Sequence, residues 1–171
     1  MSQRRLAISC LSSLLGLLGA AGGTAAQTRA WPVYQNDRYG FTISYPGEIF
    51  KAAGPGRPDG QLFVSVDGKA KLLVSASVNS TNETVESYRA FVLRTAYPEA
   101  RLSYGRRDNR LFIVSGFKGD QIFYERVEFG CRGRIISGWQ ILYPAAERAT
   151  YDSVVERMSR SWKPVSERRC Q

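Results

Sequence analysis

Histidine is missing from the 171-residue chain, and most nucleophilic and zinc chemistry goes with it. Ser-His-Asp and Cys-His sites need an imidazole to take the nucleophile's proton, and zinc sites of the usual kind draw on imidazole nitrogen. Cysteine is nearly as scarce, at three residues, and the two that lie far apart in the second half cannot build a thiolate-only zinc site. Neither a GxGxxG fingerprint nor a GxxxxGK phosphate loop occurs. The glycine-rich stretch GPGRPDG (Gly54 to Gly60) is no substitute, because Pro55 and Pro58 remove backbone donors that a phosphate cradle would use. Ser115 and Lys118 have the SxxK spacing of penicillin-recognising enzymes, but Ser115 ends a strand pattern and the SDN and KTG partners are absent. No cofactor, no metal and no nucleic-acid partner is expected.

Long apolar runs are confined to the start. Leu6 to Ala21 follows the basic pair Arg4-Arg5 and precedes the small residues GGTAA, Gly22 to Ala26. This is the layout of a signal peptide over residues 1–26, cleaved after Ala26 or, alternatively, after Ala25. A retained membrane anchor is the competing reading, and the run is shorter than the roughly 20 residues a span needs. Arg4-Arg5 also raises twin-arginine export; the short charged stretch fits the Sec route better. The mature chain, residues 27–171, is then one periplasmic or secreted domain with a short C-terminal tail.

Processing removes Arg4, Arg5 and Cys10 from the 24 basic residues and three cysteines. The remaining 22 basic and 15 acidic side chains leave an excess of positive charge that would attract anionic surfaces or glycans. Only five of the basic residues are lysine, so general arginine-rich usage explains the same excess. Cys131 and Cys170 are left as an isolated pair, which in an oxidising compartment is most simply a disulfide. Free thiols are the alternative.

Strand patterns occur at Phe41–Tyr45, Gln61–Val66 and Lys71–Val78, the last two joined by Asp67-Gly68. A helix is expected from Glu83 to Tyr97, with Ser80 and Glu83 at capping-box spacing and Val85, Tyr88, Phe91, Val92 and Ala96 on one face. Four more strands follow at Ala100–Tyr104, Arg110–Phe117, Gln121–Phe129 and Arg134–Tyr143, linked by the short turns GRRDN, KGD and CRG. The second helix starts near Pro144 and carries Tyr151, Val154, Val155, Met158 and Trp162 to the stop at Pro164. Leu111, Ile113 and Phe117 oppose Phe112 and Val114, so both sheet faces are apolar and both need cover. The two helices and the loop Glu48–Gly60 are the cover at hand. The expected class is α+β: one predominantly antiparallel sheet flanked by helices, an α/β/α sandwich.

The order Tyr34-x-Asn36-x-Arg38-Tyr39-Gly40-Phe41-x-Ile43-x-Tyr45-Pro46, then Asp59-Gly60-Gln61, Val66-Asp67-Gly68 and Ile122-Phe123-Tyr124-Glu125, resembles an uncharacterised family of exported bacterial proteins. The closing stretch TYDSVVERMSRSW (Thr150 to Trp162) is similar to that family's last helix. The strand YGFTISYP also resembles the opening of PsbP-like domains, named for an extrinsic subunit of photosystem II. That resemblance implies an antiparallel sheet between helices and a non-enzymatic protein that docks on other proteins. No residue here matches a photosystem-docking or GTPase-docking site, and fold likeness alone assigns no activity.

Three functions are open. The first is an exported accessory protein that docks on another exported or membrane protein. The second is binding of an anionic surface or glycan through Arg106, Arg107 and Arg110, which otherwise decorate a solvated turn. The third is a carboxylate-dependent hydrolase using Glu125, whose strand face it shares with Phe123, Val127 and Phe129; the alternative for Glu125 is an ion pair with an arginine on a neighbouring strand. The mature protein is expected to begin at Gln27, and N-terminal sequencing of exported material checks it. Full-length chain found solely in the membrane fraction would overturn the signal-peptide reading.

Overall fold

Alternating apolar and polar residues build nine strands in the computed structural model, which describes residues 30–170; the expected signal segment lies outside them. The strands are β1 (Val33–Gln35), β2 (Thr42–Ser44), β3 (Phe50–Ala52), β4 (Gly60–Ser65), β5 (Lys71–Val78), β6 (Arg101–Arg107), β7 (Leu111–Lys118), β8 (Gln121–Gly130) and β9 (Ile135–Pro144). Helix α1 (Val85–Thr95) sits between β5 and β6, and α2 (Arg148–Ser161) follows β9. Strands β3 to β9 form one seven-stranded sheet in the order β3-β4-β5-β9-β8-β7-β6, while β1 and β2 pair separately. Every pairing is antiparallel.

The meander β6 to β9 closes onto the first hairpin when β9 takes β5 as its outer neighbour, in register from Lys71 opposite Leu142 to Val78 opposite Ile135. Residues alternate between faces along each strand. Leu72, Val74, Trp139 and Ile141 therefore point to one side, where they bury Val154 and Met158 of α2 and Trp162 just beyond it. Phe112, Val114, Phe123 and Val127 point to the other side and bury Val85 and Val92 of α1. Each helix covers one apolar face, as the two-sided strand pattern requires.

The YGFTISYP segment does not join the large sheet. β2 pairs with β1, a strand that the sequence pattern did not show, and it clamps the far end of α2. The Thr42 and Lys163 backbones exchange N–H···O bonds of 3.0 and 2.9 Å, Ser44 N donates to Ser161 Oγ at 3.0 Å, and Phe41 packs 5.6 Å from Trp162 between ring centres. Asn36 shapes the hairpin turn: its Oδ1 accepts from Tyr39 N at 2.8 Å, and Gly40 at φ +74° supplies a conformation that side-chain-bearing residues disfavour.

Four boundaries differ from the sequence reading. The segment Glu48–Gly60, read as loop, contains the edge strand β3. Helix α1 begins at Val85 rather than Glu83, and its capping box joins Thr84 to Ser87 instead of Ser80 to Glu83. Asn79 displaces the expected cap by accepting from Glu83 N at 2.8 Å, and Asn82 turns the chain at φ +53° before the helix starts. Strand β6 runs through Arg106 and Arg107, which the sequence placed in the turn GRRDN, because their backbones continue the pairing with Ile113 and Phe112. At the other end Pro144 completes β9, and a 3₁₀ turn at Ala145–Glu147 precedes α2.

A disulfide joins Cys131, in the β8–β9 turn, to Cys170 in the tail, with their Cα atoms 5.2 Å apart. Glu167 Oε1 accepts from Cys131 N at 3.0 Å, and Val165 is buried beside the same turn. Closing a loop over a sequence separation of 39 removes unfolded-state entropy worth about 4 kcal/mol at most. The double variant Cys131→Ala/Cys170→Ala is expected to lose up to that amount in a denaturant titration. Equal midpoints for this variant and the oxidised protein would show that the bridge adds nothing to stability.

Candidate functional site

Helix α1 is 11 residues long and lies over β7 and β8, where Val85 and Val92 find their apolar partners. On the same side of the sheet it leaves β4 and β5 without a covering element among the described residues. Leu62 and Val64 of β4, Leu73, Ser75 and Ser77 of β5, and Gly138 and Gln140 of β9 share this face by register. Phe91, on the helix flank turned toward the gap, is 45% exposed, and Leu62 across the gap is 38% exposed. The sequence put Phe91 in the core because its spacing matches Val85 and Tyr88; the helix axis is displaced from the sheet centre, so its flank overhangs instead.

Beneath this overhang lies a cavity of about 290 Å³, walled by Tyr88, Phe91 and Val92 and floored by Ser75, Gln140 and Glu125. A second hollow of about 240 Å³ continues it toward Leu62, Lys71 and Lys118, with Leu73, Ala96 and Gln140 common to both. Lys118 Nζ donates to Ala96 O at 2.9 Å, near the carboxyl end of α1, where a cation is favoured by the helix dipole. The groove thus carries the carboxyl groups of Glu125 and Asp59 at one end and two lysines at the other.

Glu125 lies between Val114 of β7 and Gln140 of β9. It lines the cavity, yet its Oε2 is closed off from solvent and has no hydrogen-bond partner. Burial pushes its pKa up to about 7, and the Tyr97 hydroxyl offsets part of that rise. That hydroxyl donates to Gln140 Oε1 at 2.8 Å, and the Tyr97 ring stacks on Phe123 at 3.9 Å, which fixes the back of the site. Burial, first, and the Glu125 charge, second, raise the pKa of Tyr97 and Tyr88, so both stay neutral. An unfolded glutamate releases its proton near 4.5; the folded protein holds more protons between there and about 7, and stability falls as pH rises through that window.

The ion pair with an arginine on a neighbouring strand, offered as the alternative role for Glu125, is not seen among the described residues. The glutamate of β8 that pairs with an arginine is Glu128, and its partner lies in the same strand. Arg126 and Glu128 point to the α2 face, where Arg126 Nη2 lies 2.7 Å from Glu128 Oε1 and Trp162 Nε1 donates to the same oxygen at 3.0 Å. A second carboxylate, Asp59, lines the Glu125 cavity, but its half-exposed side chain pairs with Arg57 at 3.5 Å. Sequence reasoning missed Asp59, Tyr88 and Gln140 as neighbours of Glu125. The alternation of β8 and β9 could have supplied Gln140, whereas nothing local indicated Asp59.

Arg106, Arg107 and Arg110 do not form one basic face. Strand alternation sends Arg106 to the α2 side opposite Ile113 and Arg107 to the α1 side opposite Phe112. Arg107 is ion-paired with Glu86 of α1. Arg110 sits in the turn, where Asp108 accepts from Arg110 N at 2.8 Å and Leu111 N at 3.0 Å. These backbone donors, with the charges of Arg106 and Arg110, hold the Asp108 carboxyl below its usual range. Arg107 and Arg110 line a shallow hollow together with Glu83, Glu86 and Glu167, so its charge is mixed. Cys131 and Cys170 lie in the tail bridge described above. Among the described residues no acidic, cysteine or histidine cluster could hold a metal ion, and no helix is long and apolar enough to cross a membrane.

No family model and no curated protein matches the sequence. Solved structures do match the fold. The solution structure of cyanobacterial PsbP (CyanoP) from Synechocystis sp. PCC 6803 aligns with a TM-score of 0.57 at 17% identity, over 87% of this chain and 99% of that one. The Saccharomyces cerevisiae Ran-binding protein Mog1p aligns with a TM-score of 0.55 at 10% identity, over 81% of this chain and 97% of its own. A point variant of Mog1 gives the same TM-score over 84% of this chain and 100% of its own. With one antiparallel sheet between two helices and these likenesses across most of its length, the chain has the PsbP-like fold.

Proposed function

We propose that the chain is an exported, non-enzymatic accessory protein that docks on another protein through the uncovered half of the α1 face. The observation that carries this reading is the strip formed by Leu62, Val64, Leu73 and Phe91, an apolar surface beside a groove that no helix among the described residues covers. Sheet faces of this composition are normally covered. The neighbouring fold gives analogy of the same kind, since Mog1p is a Ran-binding protein. The signal-peptide pattern in residues 1–26 and a disulfide on the mature chain both suit an exported compartment.

The anionic-surface reading has weaker support, because Arg106 and Arg107 face opposite ways and Arg107 is already paired with Glu86. A hydrolase would need two carboxylates poised across a substrate, and Asp59 is engaged by Arg57.

Affinity capture from the exporting cell's envelope, compared by quantitative mass spectrometry, tests the docking face. Leu62→Asp/Phe91→Asp is expected to lose at least tenfold of a specific protein partner that Arg106→Gln/Arg110→Gln retains. A partner retained by the first variant and lost by the second would overturn the assignment in favour of the arginines.

A further inference from the structure

We propose that the cavity beside α1 binds an alkylammonium group, with Glu125 as its acceptor and the rings of Tyr88 and Phe91 as its walls. This deepens the docking reading and rests on it in part, since a lysine side chain of the partner is one source of such a group. A free amine is the other.

The starting point is an unmet hydrogen-bond requirement. A carboxyl oxygen shut away from water without a donor is costly to leave unmade, and Glu125 Oε2 is one of three such side-chain atoms among the described residues. Ser137 and Trp139 line the same hollow, which has room for a small alkyl chain, but of the three atoms only Glu125 Oε2 belongs to a group that can carry charge. Aromatic faces attract ammonium groups and tolerate the attached methylenes. Tyr88 and Phe91 lie 5.8 Å apart between ring centres and wall the hollow from the helix side. The apolar strip from Phe91 to Leu73 suits the chain that follows the charged head.

The surroundings select a cation over a neutral donor. From β7 and β9, the residues facing Glu125 are Val114 and Gln140, both uncharged. From α1 and the turn after it come Tyr88 and Tyr97, both held neutral. Asp59 adds a second negative group to the lining, with Arg57 as its exposed partner. Neither Lys71 nor Lys118 contributes to the perturbation of Glu125, and Lys118 is tied to Ala96 O. An incoming ammonium therefore meets a carboxyl group with no cation of its own.

Binding must displace the proton that burial keeps on Glu125, because the ammonium pairs with the ionised form. With that pKa at about 7, affinity rises with pH, by about thirtyfold between pH 5.5 and pH 8 for a single titrating group. One proton is released per amine bound on the acid side of the profile.

The experiment is an NMR titration of the mature protein with n-hexylamine, with n-hexanol as the uncharged control and Gly-Lys-Gly as the peptide source. Hexylamine is expected to shift the amides of Ser77, Gln140 and Tyr88, with the pH dependence given above, while hexanol binds at least tenfold more weakly. Glu125→Gln should lose at least tenfold in affinity at pH 8 and lose the pH dependence. Phe91→Ala should weaken binding several-fold and keep it, which preserves the test if Glu125→Gln does not fold. Tighter binding of Gly-Lys-Gly assigns the group to a partner's lysine; tighter binding of hexylamine assigns it to a free amine. Equal binding of hexanol, unchanged affinity in Glu125→Gln, or no shift with either amine would overturn the inference. In that event a partner captured through Leu62 and Phe91 would leave the docking reading standing alone.

Discussion

Seven hydrogen-bonded strands span about 29 Å from one edge of a sheet to the other, and a helix with its side chains covers about 10 Å. No single helix can therefore close either face of this sheet. On the α2 side the shortfall is made up by the β1–β2 hairpin, which brings Phe41 and Ile43 into the same core as Met158 and Trp139. That hairpin stays in place because Lys163 extends its pairing at Thr42. On the α1 side nothing among the described residues plays the same part. Helix α1 settles where Phe112, Phe123 and Val127 are, and β4 and β5 are left open beside it. The groove, the overhanging Phe91 and the stranded carboxyl group of Glu125 are all products of that one geometric mismatch.

The two-faced strands, the meander and the helix at each side were legible in the sequence because they are written in periodicities of two and of about 3.6, which any local window reveals. The likeness to the PsbP-like fold was legible for the same reason, since Asn36, Tyr39 and Gly40 act within a few residues of one another. What sequence could not show was which parts of the chain meet across distance. β1 and β3 are three residues each, too short to carry a period, and their partners decide them. Glu125 and Glu128 differ by three positions in one strand; one meets Arg126 and Trp162 and the other an empty hollow. The odd spacing puts them on opposite faces, but only the docking of α1 and α2 gives the two faces different chemistry. Arg106 and Arg107 make the converse point, since adjacency in sequence became separation across the sheet once β6 was longer than its pattern implied.

All seven residues of β6 are exposed, and three of them are Arg101, Arg106 and Arg107. Its outer backbone groups would offer a second copy of the chain a ready template for strand addition. The register shift between Leu102 and Tyr104 bends that template, and like charges face one another when two such edges approach. The opposite edge, β3, has three residues with Lys51 at its centre, which is too short to hold a foreign strand. A molecule displaying apolar groups on an open face carries a standing risk of self-assembly into fibres. Here the edges are guarded, so stickiness is confined to a surface that a growing sheet cannot use.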